Sequence, residues 1–243
     1  LKDNRIYFQG RINGSELLNI QFDLGAGAVN VNKRSVKRIK INFDKKGILV
    51  NSDGANETKV SSINEVELNG LTWNGIELYE TKNMEHYEDV IIGNGLFLDQ
   101  IYKIDYDKNI IVLYDELPKI ESDFVKQDMI LDNGIRPVFE ATFSIENKLY
   151  KDWFLFDTGN TSNGVIGNGF LGINNLYDKF SNVLGVGRNK IALIPKLNIA
   201  NNKATIVFLV NGNNFILSTT KSNFAKLYNV IEIKVAIAAP FKP

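Results

Sequence analysis

The sequence predicts an all-β protein built as two similar lobes, and three observations carry that reading. Apolar residues alternate in short runs, turn dipeptides separate the runs, and a unit of strand, turn, strand and Asp-x-Gly occurs twice. Ile6 to Ile12, Leu17 to Phe22, Val66 to Leu71, Ile76 to Tyr79 and Ile110 to Tyr114 read as strands, with Asn13-Gly14, Asp53-Gly54 and Asn69-Gly70 as turns. In the second half, Val138 to Phe143, Trp153 to Phe156, Lys190 to Ile194 and Thr205 to Val210 follow the same pattern. Helical periodicity is confined to three short stretches, Leu96 to Gln100, Leu171 to Phe180 and Asn223 to Tyr228.

Composition narrows the function. The 243 residues hold 28 Lys plus Arg and 28 Asp plus Glu, so the basic excess of a nucleic-acid binder is missing. No apolar run approaches the ~20 residues that span a bilayer; the longest, Ala204 to Val210 and Val235 to Phe241, read as strands. Zero cysteines exclude disulfides, thiol catalysis and thiolate metal sites, and a single histidine excludes multi-histidine metal sites. That histidine, His86, lies in the polar stretch Met84 to Asp89 and is expected to be solvated. Trp73 and Trp153 are expected in the core. Gly93-x-Gly95 and Gly185-x-Gly187 complete neither a dinucleotide nor a Walker pattern. The chain starts at Leu1 rather than Met, and a secreted, periplasmic or cell-envelope location is the expectation.

The repeat supplies the chemistry. Ile12 to Gly25 runs strand, turn, strand and then Asp23-Leu24-Gly25; Ile145 to Gly159 repeats the plan and ends in Asp157-Thr158-Gly159. Each Asp follows a Phe, and Gly54 and Gly187 follow the two aspartates at nearly equal distances, both in polar stretches between strands. This divides the chain into residues 1–118 and 119–243, joined near Asp115 to Asn133.

With its paired motifs, the chain resembles the pepsin and retropepsin families of aspartic peptidases. The resemblance runs from about Ile6 to Ile231 and includes Ile91-Ile92-Gly93, the two apolar residues and glycine that these families place beneath a catalytic loop. It implies two pseudo-symmetric pepsin/retropepsin-like β-barrel lobes with a cleft between them, and Asp23 and Asp157 as the catalytic pair. Gly25, Thr158, Gly159, Ile92 and Gly93 would support them, and Gly54 and Gly187 would tip two flaps over the substrate. The implied function is an aspartic endopeptidase acting as a monomer on an extended peptide or protein substrate, with no cofactor and no metal. The alternative is a silent relative that binds peptide or glycan.

The chain also departs from the family pattern. Leu24 stands where the first motif should carry threonine or serine, which removes half of a hydroxyl lock between the loops. Glu232 follows Val230-Ile231 where the second glycine is expected, and the tail to Pro243 lacks the expected closing hairpin.

Overall fold

In the computed structural model, the residues described are 5–51, 54–105, 108, 110–119, 124–145, 148–160, 165–179, 183–186, 189–193, 203–209 and 214–220. Almost all of the regular structure in them is strand, as the alternating sequence predicts.

The first sheet takes seven strands: β1 (Ile6–Ile12), β2 (Leu18–Phe22), β3 (Val29–Asn32), β4 (Lys45–Asn51), β5 (Gly54–Leu68), β6 (Leu71–Thr81) and β7 (Val90–Ile92). Two of its turns are set by local chemistry. Asn13 and Gly14 have φ of +50° and +66°, and Asn69 and Gly70 have +48° and +84°. These left-handed pairs suit Asn-Gly and match the twist of a hairpin. In β5 the alternation buries Val66 and Leu68 while Glu65 stays exposed. β7 runs parallel beside β2 and antiparallel beside β3, so it lies beneath the segment that joins them.

A hairpin of β8 (Ile101–Asp105) and β9 (Ile110–Tyr114) follows a 3-10 turn at Asn94–Phe97. Its backbone joins a second seven-stranded sheet with β10 (Phe124–Asp132), β11 (Arg136–Ile145), β12 (Lys148–Leu155), β16 (Lys203–Leu209) and β17 (Asn214–Thr220). Side chains of the same hairpin, Tyr102, Ile104, Ile111 and Leu113, enter the first core beside Ile20, Phe22 and Leu24. The hairpin therefore belongs to one sheet by hydrogen bonding and to the other by packing. Asn94, fully buried, tightens this junction: its amide donates to Ile135 O at 2.7 Å and its carbonyl accepts from Tyr102 Oη at 2.6 Å.

A small sheet of β13 (Val165–Gly167), β14 (Val183–Val186) and β15 (Asn189–Leu193) stands apart, with helix α1 (Asn168–Ile173) following β13. Two expected helices are shorter than the periodicity suggested. Leu96 to Gln100 is the 3-10 turn already described, and Leu171 to Phe180 splits into the end of α1 and a 3-10 turn at Tyr177–Lys179. Asn223 to Tyr228, Val235 to Phe241 and the departures at Val230 to Glu232 lie outside the described residues.

The expectation for Trp153 is corrected. Trp73 packs against the core, edge-on to Phe97, but Trp153 is 43% exposed because it occupies an outward position of β12. The buried residue of this strand, Tyr150, lies an odd number of positions away, so the two side chains point to opposite faces.

Candidate active site

Asp23 and Asp157 each leave the end of the second strand of a hairpin, β1–β2 and β11–β12. The Asp23 N–H donates to Ile92 O at 2.8 Å, so β7 fixes where the first loop begins. Gly93 lets that loop pass. A Cβ there would lie 2.1 Å from Ala26 O, a contact no side chain survives.

The two loops face each other reciprocally. A Cβ on Gly25 would stand 2.7 Å from Asp157 Cγ, and one on Gly159 would stand 2.4 Å from Asp23 Cγ. Each glycine thus vacates the space taken by the opposite carboxyl. Each carboxyl also accepts a backbone N–H from its own loop: Gly25 N to Asp23 Oδ1 at 2.8 Å, and Gly159 N to Asp157 Oδ1 at 2.9 Å. The environments differ, with Asp23 half-buried and Asp157 exposed.

Burial pushes the Asp23 carboxyl up to about 7, helped by the neighbouring charge of Asp157 and a hydrogen bond between the two side chains. The N–H groups of Gly25 and Gly159 pull the other way. Asp23 accordingly retains its proton under mildly acidic conditions, where an isolated aspartate is ionised. The stability consequence has a definite sign. The folded protein holds this proton more tightly than the unfolded chain, whose aspartate releases it near 3.8. The contribution is full below that pH and is lost as pH rises through about 7. Urea unfolding between these limits is expected to show wild type losing stability relative to Asp23→Asn as pH rises. Parallel curves for the two proteins would mean that Asp23 titrates normally.

Thr158 joins the loops from below. Its buried hydroxyl accepts the Leu24 N–H at 3.0 Å and donates to Phe22 O at 2.9 Å. Leu24 returns no hydroxyl; its side chain is fully buried in the first core. The lock is therefore half hydrogen bond and half packing. Thr158→Val keeps the shape but leaves a buried donor and a buried acceptor unpaired, at a cost of about 1–3 kcal/mol each. A midpoint in chemical denaturation equal to that of wild type would show that the hydroxyl does not hold the loops.

Residues 8–96 match the aspartyl protease family. No curated protein matches the chain. The matched segment runs from within β1 through β7 and contains Asp23, Gly25, Ile92 and Gly93, which bears out the family resemblance for the first of the two motifs. Asp157, Thr158 and Gly159 lie beyond it and reach the matched segment through the contacts just described.

A second tie on the Asp157 loop was not legible in the sequence. Arg5 Nε donates to Gly159 O at 3.0 Å, and its Nη1 donates to Glu88 Oε1, also at 3.0 Å. Glu88 is only 3% exposed and also accepts from Tyr7 Oη at 2.5 Å and Glu85 N at 2.9 Å. Burial and this carboxylate push the Tyr7 phenol well up. Neighbouring Asp89 is buried too and accepts from Ser35, Arg38 and the Asn19 N–H. Met84 to Asp89 is thus only partly the solvated stretch its composition suggests: His86 is exposed, whereas Glu88 and Asp89 are buried beside β7 of the first sheet. The alternation of exposed and buried positions in a loop follows no period that a sequence displays.

Above the carboxyls lies a cavity of about 750 Å³, whose walls include Asp23, Asp157, Ile48, Val50, Ile135 and Leu155. Ile48 and Val50 are 70% and 74% exposed on β4 and form part of these walls. Gly54 begins β5 with φ +106°, opposite Asn51 in the β4–β5 register, so it stands at the end of the hairpin that carries them. Gly187 lies outside the described residues; β14 and β15, which flank it in sequence, pair antiparallel. Among the described residues, no group of three or more His, Asp or Glu could hold a metal ion, and no helix is long and apolar enough to cross a membrane.

Proposed function

We propose that the protein is an aspartic endopeptidase that hydrolyses extended peptides in a cleft between two pseudo-symmetric lobes. The observation that carries this reading is the reciprocal packing of Gly25 against Asp157 and Gly159 against Asp23. Two carboxyls held that close share a proton instead of both ionising. The ionised member takes a proton from a water whose oxygen attacks the scissile carbonyl carbon. The protonated member donates to the carbonyl oxygen. Breakdown of the resulting diol returns a proton to the departing amine as the C–N bond breaks. Glycine and backbone N–H groups hold both carboxyls, Thr158 locks their loops, and Ile92 and Gly93 support the first of them. Gly54, and in the same reading Gly187, tip flaps that close over the peptide. Side chains and water suffice for this chemistry, so no cofactor is invoked.

The exposed apolar face of Ile48 and Val50 supports a substrate with apolar residues near the cut. The test is hydrolysis of a mixed peptide library, read by mass spectrometry, with and without a statine-type hydroxyl mimic. Such a mimic puts a hydroxyl where the attacking water would sit and binds more tightly than substrate. Cleavage between apolar residues that the mimic suppresses is the expected result. Absence of cleavage across mildly acidic to neutral pH would leave only the silent, binding reading.

A further inference from the structure

We propose that a lysine-walled pocket beside the cleft seats acidic residues of the same peptide, some way from the bond that is cut. The pocket holds about 370 Å³ and shares Leu49, Thr81 and Asn83 with the cleft cavity, so the two adjoin. The inference rests on the peptidase reading for the fate of the peptide, but the pocket's charge is independent of it.

Four lysines form its walls, and strand register brings them together. Lys46 on β4 lies directly across from Lys59 on β5. Lys33 and Lys82 each follow the last residue of a parallel pair, Asn32 opposite Thr81, at the ends of β3 and β6. Like charges at facing positions are destabilising, and a chain with no net charge has no general need of them. Compensation is incomplete. Lys46 pairs with Glu57 at 2.8 Å, and Lys59 lies over the Phe43 ring at 5.5 Å. Lys33 and Lys82 have no carboxylate in salt-bridge reach among the described residues. Glu57 and Glu80 are the acidic residues of the wall, which leaves a positive excess facing an open concavity. An anionic segment that continues a peptide already lying in the cleft fits it. A basic or neutral segment gains nothing there.

The experiment uses three labelled extended peptides with one apolar centre: an acidic run at the N-terminal end, the same run at the C-terminal end, or the run replaced by its amides. Binding to the Asp157→Asn protein is read by fluorescence polarisation at about 50 mM and about 300 mM salt, between which the screening length shortens markedly. One acidic peptide is expected to bind about tenfold more tightly than the neutral one at the lower salt. The advantage should shrink at the higher salt and disappear in Lys33→Glu/Lys82→Glu. Equal binding of all three peptides, or an acidic preference untouched by the double charge reversal, overturns the proposal. Cleavage of the same peptides by wild type separates the two claims. Preference without cleavage retains the pocket and removes the peptidase, and cleavage without preference does the reverse.

Discussion

Asp157→Asn is expected to reduce peptide hydrolysis by roughly 10²–10⁴-fold, the usual worth of a positioned acid–base group, while the protein still folds. Its carboxyl is exposed, and the amide keeps an oxygen to accept the Gly159 N–H, so little packing changes. What disappears is the ability of the pair to exchange a proton with water and substrate. Asp23→Asn should be equally inactive, since a base without its acid is no better than the reverse, and the double variant should be little worse than either single one. Turnover is the measurement, on one peptide at pH values either side of 7. Asp157→Asn retaining near wild-type turnover, with thermal unfolding unchanged, would place the chemistry elsewhere.

Arg5→Met should produce the largest loss of stability together with a loss of turnover. The substitution keeps the apolar stem but strands the buried Glu88 carboxylate, and removing one partner of a buried pair costs about 3 kcal/mol. For a chain of this size that lowers the melting temperature by about 6–12 °C. It also releases Gly159 O, and with it the loop that holds Asp157. Misplacing a catalytic group by a fraction of a bond length to an ångström can cost up to about 10²-fold in rate. Arg5 acts through Gly159 and is a positioning residue. Arg5→Met/Glu88→Gln separates the two effects, because removing the stranded charge should restore much of the melting temperature without restoring turnover. Recovery of both together would reduce Arg5 to a structural role. Loss of neither in Arg5→Met would show that the link to Gly159 does not hold the loop.

By itself the sequence determined that this is an all-β protein in which an Asp-x-Gly tripeptide closes each of two similar strand–turn–strand units. Those features are local. Asn13-Gly14 and Asn69-Gly70 dictate their turns, alternation in β5 dictates its buried face, and Asp23-x-Gly25 and Ile91-Ile92-Gly93 can be read letter by letter. Tertiary structure alone decided which distant atoms meet. The Thr158 hydroxyl reaches Phe22 and Leu24 across more than half the chain, Arg5 bridges Glu88 to Gly159, and the β8–β9 hairpin bonds to one sheet while packing into the other core. It also turned Trp153 outward and buried Glu88, against what each residue type suggests. The physical reason is that a pattern along the chain specifies which face of a strand is apolar. A buried charge or an exposed ring depends instead on a partner, or the lack of one, supplied by residues far away in sequence, and such pairings have no period to read.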